Sequence, residues 1–245
     1  MQQLGVKFPT QSRHPSDPEA IEDTKCQHCR DMEYVHPRKE DGKIDYSTVV
    51  PCRHCVSQER LCSLLGVSSL ESTFDNFKLV KGVIDTYTAA RSIATLQTEW
   101  KLLLICGTWG SGKTHLLEAI ALEIWSRGYS IQVQTFPDFM SRLKGTFDKS
   151  HNPEDTTFND VMGKICTMPY LLLDDVGSAD SFTTFALSQL ERIMLTRYRE
   201  NLLTVMTTNV DYEILPKFVT SRFNDAVKGR ILLNKAPDYR PKKGG

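Results

Sequence analysis

The sequence predicts an α/β fold, a parallel sheet with helices on both faces, preceded by a small cysteine-rich module of the zinc-ribbon kind. Three observations predict it. From about residue 71 short apolar runs alternate with helix-period patterns, as they do where helical crossovers join parallel strands. One run, Leu102-Leu-Leu-Ile-Cys106, passes directly into Gly107-Thr-Trp-Gly-Ser-Gly-Lys-Thr114, the G-x4-G-K-T spacing of a phosphate-binding loop. Four of the seven cysteines form two C-x2-C pairs within the first 55 residues.

Composition sets the frame. The chain has 245 residues, with 30 Lys+Arg against 30 Asp+Glu, 40% hydrophobic and 24% charged. This is ordinary globular usage, and the length suits one large core with something small attached. The expected division is a zinc-binding module over 1–62, a linker or short helix over 63–72, and a nucleotide-binding domain over 73–245. The longest apolar runs, Leu102 to Cys106 and Tyr170 to Leu173, fall far short of the ~20 residues of a spanning helix. The N-terminal stretch, with Asp17, Glu19, Glu22 and Asp23, has no signal-peptide apolar region. A cytoplasmic protein with no membrane contact is therefore expected. Zero net charge excludes a uniformly basic surface, but residues 217–245 carry 8 basic and 2 acidic groups. Neutrality thus leaves room for a nucleic-acid partner.

Cys26-Gln-His-Cys29 and Cys52-Arg-His-Cys55 are separated by 22 residues, close to the about 15 to 20 of a zinc ribbon. Two residues between cysteines let both thiolates and the backbone turn around one side of a tetrahedral Zn2+, so two pairs complete a closed, structural site. His28, His36 and His54 are possible substitutes for one cysteine, although His28 and His54 suit solvent-facing positions inside the knuckles. The surrounding prolines and polar residues build little core, so the metal would supply the folding free energy. Cys62, Cys106 and Cys166 have no ligand spacing.

In the larger part, Leu102 to Cys106 is the strand that feeds the phosphate loop. The helix after the loop carries Leu116, Leu117, Ile120, Ala121 and Ile124 on one face. In that context Gly107, Thr108, Trp109, Gly110, Ser111, Gly112, Lys113, Thr114 and His115 are the nucleotide-binding residues. Backbone N–H groups and the helix N-terminus would hold the β-phosphate, Lys113 the β and γ oxygens, and Thr114 the Mg2+ of ATP. A second strand, Ser130 to Phe136, precedes helical stretches near Asp138 to Phe147 and Asp155 to Met168. Tyr170-Leu-Leu-Leu-Asp174-Asp175 then describes a buried strand delivering carboxylates to the sheet's carboxyl edge. Asp174 suits the Mg2+ shell, and Asp175 suits orienting or deprotonating the attacking water. After a helix over Thr183 to Arg199, the strand Leu202 to Met206 ends in Thr207-Thr208-Asn209, where the Asn209 amide can sense a γ-phosphate.

Together, the G-x4-G-K-T loop, the Leu-Leu-Leu-Asp-Asp-Val-Gly strand and the Thr-Thr-Asn strand end resemble an AAA+ ATPase. Thr73-Phe74-Asp75-Asn76-Phe77, Gly112-Lys-Thr-His-Leu116 and Arg197-Tyr198-Arg199 resemble the DnaC/DnaI-type helicase loaders over about residues 71 to 240. The cysteine-rich N-terminal unit is similar to the DnaI arrangement. The resemblance implies a sheet in 5-1-4-3-2 order and self-association in which a neighbour completes the active site. It implies that Arg222 is an arginine finger acting in trans and that Arg240 is a sensor-2 arginine, with Arg230 a competitor for either role. It also implies a helix at 139–147 lining a path for single-stranded DNA, with Arg142 and Lys144 on phosphates and Phe147 on a base. Phe74 and Phe77 would pack at the adenine end.

The expected protein is an ATP-dependent loader of a replicative DNA helicase, a slow Mg-dependent ATPase that grips the helicase through its zinc module. The competing expectations are an IstB-type transposition helper and a nucleotide-gated adaptor without significant hydrolysis, the latter because Asp175 stands in place of Glu.

Overall fold

The structure is a computed structural model that describes residues 25–38, 41–47, 49–52, 54–147, 156–177 and 182–239. In the N-terminal part, β1 (Tyr34–Val35) pairs antiparallel with β2 (Val50–Pro51), Tyr34 opposite Pro51 and Val35 opposite Val50. Its interior consists of Cys26, Cys29 and Cys52 with Val35 packed against them. A core made of thiols cannot hold such a unit in the way an apolar core does.

Helix α1 (Gln58–Leu65) follows. The Ser57 hydroxyl accepts from Arg60 N at its start, and Gly66 ends it in the left-handed conformation. A side chain on Gly66 would strike the Val133 carbonyl, so α1 is set directly against the strand that holds Val133. The expected 63–72 junction is therefore the end of α1 and a stretch whose Val67 and Leu70 lie on the same core as Leu61 and Leu65.

The remaining elements are α2 (Ile84–Ala94), β3 (Leu102–Gly107), α3 (Lys113–Ser126), β4 (Ile131–Thr135), α4 (Phe136–Gly145), α5 (Phe158–Thr167), β5 (Tyr170–Asp174), α6 (Thr184–Arg199), β6 (Leu203–Thr208), α7 (Lys217–Phe223) and β7 (Gly229–Asn234). The five strands β3 to β7 form one parallel sheet in the order β4-β5-β6-β3-β7. Numbered from the phosphate-loop strand, this is the 5-1-4-3-2 order read from the other edge.

Alternation along each strand divides the interior in two. Leu103, Ile105, Val133, Leu172 and Val205 meet the helices α1, α2 and α3. Leu102, Leu104, Cys106, Leu171, Leu173 and Met206 meet α4, α5, α6 and α7 on the opposite face. The central strands are buried on both sides and so read as continuous apolar runs. Threonines start the crossover helices: Thr135 caps α4, Thr183 caps α6, and Thr157 with Asp160 forms a reciprocal capping box on α5.

Arg197, in the last turn of α6, has 0% of its surface exposed. Its guanidinium donates to Thr204 Oγ1 at 2.8 Å and to the carbonyls of Ile165, Met168 and Leu203 at 3.0, 2.7 and 2.6 Å. It fastens the C-terminal end of α5, whose last carbonyls have no helical partner, to the start of β6. Burial pulls its pKa down to about 9, which leaves it charged at neutral pH.

Among the described residues no helix is long and apolar enough to cross a membrane.

Candidate functional site

The carboxyl ends of β3, β4 and β5 and the loop after β6 meet at a cavity of about 970 Å³. Ligands bind at such an edge because the strand ends deliver side chains and helix N-termini point into it. Gly107 ends β3, and the chain then turns through Gly110 (φ 73) and Gly112 (φ 87). Only glycine adopts both without strain. A side chain on Gly112 would press on the Phe77 ring, and one on Gly110 would collide with the Asp238 carboxylate.

Lys113 opens α3 and is buried, its Nζ donating to the carbonyls of Gly107 and Thr108 at 2.8 Å each. Ser111 Oγ donates to Thr108 O, and Asn234 Nδ2 donates to Ser111 O, both at 2.8 Å. The loop is thus held in shape by its own hydroxyl and by the end of β7. Trp109 is 64% exposed and stands in the cavity wall. His115 Nε2 donates to Thr73 O at 2.8 Å and its ring meets the edge of Phe77 at 5.1 Å. His115 therefore pins the 73–77 segment to α3 while still lining the cavity. Phe77 lies in the cavity, whereas Phe74 is buried and packs on Tyr87.

Asp174 is the last residue of β5. Its Oδ2 accepts from Thr114 Oγ1 at 2.7 Å and its Oδ1 accepts from the Thr207 hydroxyl. Neighbouring oxygens in a Mg2+ shell with ~2.1 Å bonds lie ~3 Å apart, so the Thr114 and Asp174 oxygens fit that ion. Asp175 leaves the strand at φ 56, its N–H donating to Thr207 Oγ1 at 3.1 Å. Asn209 Nδ2 donates to Asp175 Oδ1 at 2.5 Å. Lys113, Thr114, Asp174, Asp175 and Asn209 are therefore brought to one cavity.

The arginines are not. Arg222, in α7, donates to the Phe218 carbonyl and lies over the Tyr198 ring at 5.9 Å, outside the cavity lining. Asp225, three residues further on, is instead taken by the Tyr198 hydroxyl at 2.6 Å. Arg230 packs over Trp100 at 5.7 Å. Arg240 lies outside the described residues, as does the basic stretch after it.

Four thiols make the second site. The sulfurs of Cys26, Cys29, Cys52 and Cys55 all lie within 4.8 Å of one another, with Cys26–Cys52 at 3.7 Å and Cys29–Cys55 at 3.4 Å. A tetrahedron with ~2.3 Å metal–sulfur bonds has edges of ~3.8 Å, so the thiols fit one closed four-sulfur shell. The N–H groups of Cys29 and His28 approach the Cys26 sulfur and draw its pKa down to about 7. The thiols crowded around Cys55 push its pKa up. His28 and His54 are exposed and stack on each other at 3.4 Å, and neither they nor His36 belong to the ligand set. Of the other cysteines, Cys106 and Cys166 are buried, and burial pushes Cys106 up to about 12.

On the opposite face of the sheet, Arg142 and Lys144 are exposed in the last turn of α4. Phe147, 64% exposed, stacks on Phe158 at 5.5 Å and meets Phe185 at 6.2 Å. Phe139, at the start of the helix expected to line DNA, is a core residue with 0% exposure.

Several contributors gave little sign in the sequence. Asn234 is one polar residue at the end of an apolar strand. Glu118 reads as the polar side of α3, yet it is 3% exposed and accepts from Ser68 N at 2.6 Å. Lys78 and Tyr239, 161 residues apart, meet at the cavity rim, and no local pattern links them.

The family model of the bacterial DnaA ATPase domain matches residues 69–197. The replicative helicase loader DnaC of Escherichia coli K12 is 25% identical over 195 residues, 78% of each chain. AMPPCP-bound DnaA from Aquifex aeolicus superposes with a TM-score of 0.59 at 22% identity, over 68% of this chain and 50% of that one. The chain thus spans about half the length of that DnaA chain. The crystal structure of DnaI superposes with a TM-score of 0.55 at 23% identity, over 73% of this chain and 93% of that one. With the phosphate loop, the Thr114–Asp174 pair and the sheet order all in agreement, the chain belongs to the bacterial DnaA ATPase-domain family of AAA+ proteins, with the DnaC and DnaI helicase loaders among its relatives.

Proposed function

We propose that this protein is an ATP-dependent loader of a replicative DNA helicase. The observation that carries the ATPase half is the convergence of Lys113, Thr114, Asp174, Asp175 and Asn209 on one sheet edge. The helicase half rests on kinship with proteins named replicative helicase loaders.

In this account Lys113 exchanges its two loop carbonyls for phosphate oxygens when ATP enters. Thr114 and Asp174 would hold Mg2+, which supplies neutralisation of phosphate charge. Asn209 holds the Asp175 carboxylate, so that this acid faces the attacking water in one orientation. Arg222 lies away from its own cavity and acts as a finger on the neighbouring subunit's nucleotide, with Arg240 as the sensor-2 residue of its own site. A subunit outside an assembly lacks a finger, so turnover is slow. Hydrolysis serves as a release switch.

The module at 1–62 binds the helicase and is held by one zinc ion on Cys26, Cys29, Cys52 and Cys55. That ion's contribution is structural, since four thiolates leave no open position. Arg142, Lys144 and Phe147 offer charge and an aromatic face to single-stranded DNA. All of this takes place in the cytoplasm.

The test is a loading assay with the full chain, the replicative helicase of the same organism and circular single-stranded DNA. Helicase should accumulate on the DNA only with both the chain and ATP, and Lys113→Ala should abolish this. Helicase loading that is indifferent to the chain would refute the proposal. Association with a transposase instead would assign the protein to the transposition-helper class.

A further inference from the structure

Three consecutive residues at the end of β5 are held by one residue of β6. Leu173 and Met206 are the last pair of the β5–β6 ladder, so Asp174 and Thr207 follow one residue beyond it. Thr207 is fully buried. Its hydroxyl donates to Asp174 Oδ1 and accepts from Asp175 N at 3.1 Å, and its carbonyl accepts from Val176 N at 2.9 Å. A hydroxyl has one proton to give, and a backbone N–H can only donate. The Thr207 proton is therefore the one committed to Asp174.

The consequence falls on the carboxylate. Thr114 and Asp174 line the cavity, whereas Thr207 stands outside its lining. Thr114 Oγ1 meets Asp174 at Oδ2, at 2.7 Å, and Thr207 meets it at Oδ1. Oδ2 is thus the oxygen presented beside the phosphate loop, and Oδ1 is turned toward β6. Thr135, opposite Asp174 on β4, directs its own hydroxyl to Asp138 at the start of α4. How many Asp174 oxygens a cation can use is accordingly decided from β6.

That number separates hard cations. Ca2+ is large, bonds oxygens at ~2.3–2.6 Å in flexible geometry and accepts a carboxylate through both oxygens. Mg2+ demands a near-ideal octahedron at ~2.0–2.1 Å, which the narrow bite of a single carboxylate fits poorly. We propose that Thr207 is a positioning residue that sets the cation choice of the nucleotide site: with Oδ1 engaged, Asp174 offers one oxygen, which suits Mg2+ and disfavours Ca2+. The proposal rests on the nucleotide reading of the cavity and adds a role for a residue that touches neither nucleotide nor cation.

The experiment measures the affinity of the full chain for AMPPCP with Mg2+ and with Ca2+, so that hydrolysis does not enter. The wild type should bind more tightly with Mg2+. Thr207→Val keeps the shape, loses the proton and frees Oδ1. It should lower the ratio of Mg2+-supported to Ca2+-supported affinity by roughly ten-fold or more, the usual scale for removing a hydrogen-bond partner of a metal ligand. Thr207→Ser keeps the hydroxyl and should restore the wild-type ratio. A valine variant whose affinity is unchanged, or falls equally with both ions, would reduce Thr207 to a packing residue and overturn the proposal. The wild type alone provides a second test should the valine variant not fold, because equal affinity with Mg2+ and Ca2+ would also overturn it. A wild-type chain that binds AMPPCP with neither ion would contradict the nucleotide site itself, and the proposal with it.

Discussion

The Thr114 hydroxyl donates to Asp174 Oδ2 at 2.7 Å, joining the phosphate loop to the end of β5 across the cavity. Two oxygens presented side by side, one neutral and one anionic, are what a hard divalent cation selects. Asp174→Asn and Thr114→Val should each reduce Mg-dependent ATP hydrolysis by about 10²-fold or more, since the transition-state charge then loses its counter-ion. Steady-state phosphate release at saturating ATP checks this. Hydrolysis within a few-fold of wild type in both variants would show that the pair serves only the fold.

Arg197 makes a different kind of prediction, about stability. Its guanidinium satisfies four backbone carbonyls, those of Ile165, Met168, Pro169 and Leu203, and the Thr204 hydroxyl in a fully buried site. Arg197→Met would leave those carbonyls without donors and should cost about 3 kcal/mol or more, at ~1 kcal/mol or above per stranded group. Arg197→Lys should recover little of this, because an ammonium cannot reproduce the planar fork. Urea unfolding measures both. A loss below ~1 kcal/mol in the Met variant would mean that the buried network adds nothing net.

Acid stability depends on Asp225. The Tyr198 hydroxyl and the N–H groups of Lys228 and Val227 hold its carboxylate and lower its pKa to about 2, from an ordinary 3.8. A depressed acid stabilises the folded state above its unfolded pKa, and that contribution is lost as pH falls from about 4 toward 2. The gap in urea midpoint between wild type and Asp225→Asn should therefore be full at pH 6 and shrink steadily below pH 4. A gap independent of pH would contradict the assignment.

Trp109 offers a direct reporter, because it stands exposed in the wall of the cavity. ATP addition should change the intrinsic fluorescence of the wild type. In Trp109→Phe most of that change should vanish while binding is retained. A signal that persists would have to come from Trp100 or Trp125.

Much of this architecture could be read from the chain because its signals are local. Leu102 to Thr114 combines strand, glycine turns and helix start in one stretch, so the phosphate site follows from spacing and context. Asp174 and Asn209 are polar residues at the ends of apolar strands, and a parallel sheet sends such ends to one edge. The paired cysteines are equally local. What could not be read depends on residues distant in sequence. Arg197 looks like a surface arginine on an amphipathic helix, and nothing nearby signals that α5 and β6 will close over it. Glu118 is one polar residue in an apolar helix, and only the packing of the α1 junction buries it. Tyr239 and Lys78 meet because β7 returns beside β3, a pairing that sheet topology decides. Phe139 and Phe147, expected on one helix, part because the helix runs from Phe136 to Gly145 and turns Phe139 to the core.

The proposed division of labour, a metal-held module that grips the helicase and a nucleotide domain that times its release, is tested most directly by helicase capture with and without the metal. The full chain should contain one zinc per molecule and bind the replicative helicase. Chelation, or Cys26→Ser with Cys52→Ser, should abolish helicase binding while ATP still alters Trp109 fluorescence. Helicase binding that survives loss of the metal, or an intact chain that never binds helicase, would contradict the account.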